Sequence, residues 1–161
     1  MPLHYATVAI PESEVPRATS PIFQYILDTY ASETNKVVSV WREFAPQDFP
    51  FRPHPRSSSV EDVMKHQLLS ERRFFGEFLG APEPAPGQIL PDSPTPEAYA
   101  RRTIELALPR LSYFAPKSAA WWMEVVPFFD VGRQRIWVFW RRVLHTAHHR
   151  TQLTTYLRLL N

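Results

Sequence analysis

Apolar residues recur every three to four positions over four stretches of the chain, the period of an amphipathic helix. The first stretch carries Ile22, Ile26, Tyr30, Val37, Val40, Trp41 and Phe44, with Glu33 on the same stripe. Ser20 stands where an N-cap belongs, Pro21 suits the first helical position, and the helix is predicted to end near Ala45 and Pro46. The second helix is predicted to start at Ser58 or Ser59, where Ser58 and Glu61 have capping-box spacing, and to stop near Gly80. Val60, Val63, Met64, Leu68, Phe74, Phe75, Phe78 and Leu79 form its apolar stripe, and Glu71, Arg72 and Arg73 read as charged surface. A third helix follows over residues 96–115, capped by Thr95 with Pro96 first. Pro109 is expected to kink it or end it early. The last helix is predicted from about Gly132 to the C-terminus, with no further proline or glycine to interrupt it.

The segments between these helices are rich in proline. Pro2, Pro11 and Pro16 make residues 1–19 an extended N-terminal arm lying on the body, and PQDFPFRPHPRSS and APEPAPGQILPDSPTP read as irregular connections. WWMEVVPFFDVGR, β-branched and aromatic with Pro127 inside, reads as an extended crossing segment with room for a short strand. The expected fold is all-α: one four-helix-bundle domain over residues 1–161, with an extended N-terminal arm and a short extended segment before the last helix.

Composition narrows the chemistry. The chain has no cysteine, so a transition metal must be held by imidazole, carboxylate or water. A formal charge of +2 without a basic tract argues against nucleic-acid binding. No apolar run approaches a membrane span and no signal peptide opens the sequence, so a cytoplasmic protein is expected. Four glycines and no phosphate-cradling loop or nucleophilic-serine motif leave the six histidines as the candidate chemistry.

In the last helix LHTAHHR places His145 and His149 four residues apart, about 400° of rotation, on one face. The same stripe continues through Arg142, Gln152 and Tyr156, polar where a bundle helix usually buries aliphatics. His66, mid-way along the second helix, can face this pair across the core. Three imidazoles with an open fourth position describe a catalytic zinc-type site; a hydrogen-bonded structural cluster is the other reading. His148 lies about 100° from His149, while His4 and His54 fall in proline-rich, solvated segments. Asp62, one turn before His66, is spaced either to orient that ligand or to complement the helix dipole. Tyr30 and Glu33 either point into the site or lie at the edge of their stripe. Arg142, Arg150, Gln152 and Tyr156 are candidates for binding an anionic substrate, or are solvated or paired.

Two segments resemble the DinB family of the DinB/YfiT-like metalloprotein superfamily. RPHPRSSSVEDVMKHQLLSERRFF (52–75) looks like its loop into the second helix with a single metal histidine. LHTAHHRTQLTTYLR (144–158) is similar to its HxxxHRGQ signature, with Thr151 where glycine is common. The resemblance names His66, His145 and His149 as the metal triad and implies a divalent transition metal: nickel or zinc foremost, with iron or cobalt as alternatives. It further implies a thiol-dependent S-transferase or a hydrolase, a small-molecule substrate such as a low-molecular-weight thiol, and a homodimer. The competing reading is a non-catalytic bundle in which the histidines or metal are structural and an aromatic surface mediates assembly. Trp121, Trp122, Trp137 and Trp140 motivate that reading, although tryptophans also fill cores.

Overall fold

The computed structural model describes residues 8–160, so His4 and the first part of the expected arm lie outside the described residues. Helix α1 (Gln24–Arg42) begins three residues after the predicted start, because Pro21–Phe23 forms a 3₁₀ turn leading into it. Helix α2 (Val60–Arg73) is capped one residue later than Ser58. The Ser59 hydroxyl accepts from the Asp62 amide at 3.1 Å, and the Asp62 carboxylate accepts from the Ser59 amide at 3.0 Å. Glu61 pairs instead with Lys65 at 2.8 Å. Helix α2 runs on into a π-helical turn, Phe74–Phe78. Gly80 then ends it with a φ of +70°, a left-handed conformation natural to glycine.

Helix α3 (Pro96–Phe114) is capped by the Thr95 hydroxyl and passes Pro109 without ending. A proline inside a helix costs about 3 kcal/mol. Against it stands the burial of Leu106, Ala107, Leu111 and Phe114 and the ion pairs of Arg110 on the same face. The aromatic crossing segment holds more structure than expected: a short helix α4 (Ala119–Met123), then an antiparallel hairpin of β1 (Val125–Phe128) and β2 (Val131–Gln134). Gly132 faces Pro127 across it, where a Cβ would come within 2.9 Å of Val125. The hairpin takes the residues after Gly132, so α5 (Arg135–Leu160) starts later than predicted.

Helix α1 packs against α3 and α5, and α2 against α5. Ile10 is buried, and its amide and carbonyl both bond the Asn35 side chain, at 2.8 and 2.9 Å, which docks the described part of the arm on α1. Trp122 is buried, Trp121 and Trp140 pack on the core, and Trp137 is exposed. No helix of the described residues is long and apolar enough to cross a membrane.

The core has two apolar clusters. Phe75, Phe114, Trp122 and Phe139 centre the one beside the hairpin; Trp41, Met64, Leu68, Tyr99 and Leu153 centre the other. Buried polar residues lie between them along α2 and α5, Glu71 and Thr146, and are joined there by Tyr30 of α1 and Arg110 of α3. Glu71, expected on the surface, is only 4% exposed. It accepts from Arg110 of α3 at 2.6 Å, from Thr146 of α5 at 2.9 Å and, at 3.4 Å, from the Tyr30 hydroxyl of α1. Arg110 also grips Glu83 through two bonds, at 2.6 and 2.8 Å. Burial raises the Tyr30 phenol well above its usual range, so it stays a neutral donor.

Removing Glu71 takes from the buried Arg142 the carboxylate that stands 4.0 Å away, and leaves the buried Arg110 with Glu83 alone among the described residues. Glu71→Ala is therefore expected to cost about 3–5 kcal/mol of unfolding free energy. Glu77→Ala, which releases exposed pairs with Arg72 and Arg73 at 3.1 Å, should cost less than about 1 kcal/mol. Urea unfolding compares the two, and equal losses would deny the buried layer its structural role.

Candidate metal centre

Helix α2 presents His66 half-way along its length, and α5 presents His145 and His149 one turn apart, as their spacing requires. Packing brings the three together. The Nε2 atom of His145 lies 3.1 Å from Nε2 of His66 and 2.9 Å from Nε2 of His149. One ring nitrogen from each residue lies within 4.8 Å of the others. Ligands about 2.0–2.1 Å from a tetrahedral ion stand about 3.3 Å apart, so small side-chain adjustments suffice to accommodate one.

The protonation of His149 follows from its neighbours. The Ser58 carbonyl can only accept, so the Tyr156 hydroxyl donates to it, at 3.0 Å. Tyr156 must then accept from the Gln152 amide nitrogen, at 2.9 Å, which turns the Gln152 oxygen toward Nδ1 of His149, also at 2.9 Å. Nδ1 of His149 therefore carries the proton and donates. Its Nε2 is left as a bare lone pair beside the other two imidazoles, the form a metal needs.

Electrostatics favour the same state. Burial is the largest cause holding all three imidazoles below their ordinary pKa, and the Arg142 charge adds to it. For His145 the result is about 3. For His149 the Gln152 hydrogen bond partly offsets the shift. His66 is exposed while His145 and His149 are half-buried, so the cluster opens to water on one side.

Solved structures share this architecture, two of them DinB-like proteins from Bacillus. A DinB-like protein from Bacillus cereus ATCC 10987 superposes with a TM-score of 0.71 at 14% identity, covering 84% of this chain and 90% of that one. A DinB-like protein from Bacillus subtilis gives 0.67 at 16% identity, covering 84% and 91%. The fold is DinB-like. No family model and no curated protein matches the sequence.

Within the DinB-like fold the remaining candidates take other places. Asp62 does not reach His66: its carboxylate serves the Ser59 cap and pairs with Arg52 at 2.8 Å. Its backbone and side-chain bonds to Ser59 lower its pKa. Gln152 and Tyr156 build the relay to His149, Arg150 pairs with Glu33, and Tyr30 belongs to the Glu71 layer. Arg142 is buried. His148 stays exposed on the α5 flank, its ring 5.0 Å from that of His149, and His54 is exposed in the loop, accepting from the Arg56 amide. The Ser58 carbonyl, which settles the tautomer, carries no mark in the sequence, since any residue supplies a carbonyl.

Two outcomes follow. Gln152→Leu should weaken metal binding about 10–100-fold while the protein stays folded, measured by competition with a chromophoric chelator; unchanged affinity would break the relay argument. Metal-free protein should lose stability as the pH falls below about 6.5, because the unfolded imidazoles then bind protons that the folded ones refuse. Thermal melts in chelator from pH 7.5 to 5 should show this slope, and His145→Gln should flatten it.

Proposed function

We propose that the chain is a metal-dependent enzyme. It holds one divalent transition ion, nickel or zinc foremost with iron or cobalt as alternatives, on His66, His145 and His149, and performs thiol transfer or hydrolysis on a small-molecule substrate. The observation that carries the reading is the convergence of three neutral imidazole nitrogens, one with its lone pair set by the Tyr156–Gln152 relay.

The donor set fits such an ion. Imidazole suits zinc, nickel and iron alike, and three protein ligands with one place left over describe catalytic rather than closed structural sites. When bound, the ion lowers the pKa of a coordinated water or thiol and polarises an oxygen electrophile. The residues of the chain hold and orient it: the relay keeps the His149 ring from rotating, and the exposed edge at His66 gives a substrate its approach. With no cysteine in the chain, any reacting thiol arrives with the substrate.

Elemental analysis of untagged protein tests the reading. Wild type is expected to carry one divalent ion per chain, lost in His66→Ala, His145→Ala and His149→Ala, and to turn over members of a thiol-transfer or ester-hydrolysis panel only when loaded. Wild type that takes up neither nickel nor zinc overturns the site. A bound ion that raises the melting temperature and supports no turnover leaves the non-catalytic bundle in its place.

A further inference from the structure

Helices α2 and α5 meet again one turn below the histidines. Ser70 follows His66 by four residues and Arg142 precedes His145 by three, so the two sit on the next rung of the same interface. Arg142 is 0% exposed. It donates to the Ser70 hydroxyl at 2.5 Å and to the Thr146 hydroxyl at 3.2 Å, and its Nε has no hydrogen-bond partner among the described residues. The nearest carboxylate oxygen, on Glu71, stands 4.0 Å away and already accepts from Thr146, while the other Glu71 oxygen accepts from Arg110 and Tyr30.

A buried guanidinium held by hydroxyls, without a carboxylate in hydrogen-bonding contact, is costly to keep. It also repels the very cation the triad would hold. The compensating charge is shared: Glu83 is paired with Arg110, Glu71 is divided between Arg110 and Arg142, and Glu33 is paired with Arg150, while the three imidazoles and Gln152 are neutral and Arg141 adds a second positive charge near His145. An ion on this donor set keeps its full double charge with a buried cation beside it. The ligand such a field favours is an anion.

We infer that Arg142 is a positioning residue whose buried charge makes the open coordination place of the His66–His145–His149 site select an anionic ligand, a carboxylate or a thiolate, over a neutral one. The inference rests on the metal reading given above. Arg142 acts through its field and not by touching the ligand, because its guanidinium is sealed from solvent. Burial brings its pKa down to about 10, which leaves it charged at neutral pH.

Cobalt-loaded protein titrated with azide, followed by the visible spectrum of the ion, tests this. Arg142→Met should bind azide about tenfold more weakly, the scale of one unit charge removed nearby in a partly screened interior, and should bind cobalt more tightly. Glu71→Gln, which removes the opposing charge with little change of shape, should move both affinities the other way. If Arg142 only props the helices apart, the Met variant loses cobalt and azide affinity together, and that result overturns the inference. So does azide affinity unmoved in both variants. Wild type alone gives a further check that needs no variant to fold: azide must compete better than neutral imidazole for the loaded site, and the reverse order overturns the inference. Wild type that takes up no cobalt defeats the metal reading itself, a result distinct from all of these.

Discussion

Four long helices in this chain meet at one carboxylate. Glu71 of α2 receives hydrogen bonds from Tyr30 of α1, Arg110 of α3 and Thr146 of α5. Apolar surfaces on either side of it would tolerate a slip along the helix axes, because hydrophobic contact is non-directional. Charge-assisted hydrogen bonds with donor–acceptor distances of 2.6 to 2.9 Å do not. The layer therefore fixes the relative height of the helices, and the two aromatic-rich clusters fill in around it.

The three-histidine cluster depends on that register. His145 and His149 share a face of α5 through helical periodicity alone, whereas His66 reaches them only if α2 and α5 are held at one height. The contacts Glu71–Thr146 and Ser70–Arg142 hold them there, one turn from the histidines. A second anchor works from the other side: Tyr156 bonds the carbonyl of Ser58, just before α2, and so ties the start of that helix to the relay behind His149. The same packing that supports the fold thus orients the three imidazoles, and the buried positive charge of Arg142 that belongs to the support lowers their pKa values.

What the sequence determined by itself are the features that arise within one element. Period, caps and proline placement located the four long helices, Gly80 marked the end of the second, and the four-residue step placed two histidines on one face. The place of His66 midway along the second helix allowed it to face that pair, the resemblance in residues 52–75 and 144–158 named the same three, and the folded chain brings them together. Tertiary structure alone decided the rest, because it turns on partners far apart in sequence. Glu71 sits in a charged run, ERR, that reads as surface, and its burial rests on distant partners: Tyr30, Arg110 and Thr146, 41, 39 and 75 positions away. Pro109 carries the local signal of a helix end, overridden by the burial of its neighbours. The aromatic segment before α5 folded into a helical turn and a hairpin because each half found a surface to cover. Asp62 had two local uses open to it and took the nearer, the cap on Ser59, since an adjacent amide costs less chain entropy to reach than a distant imidazole.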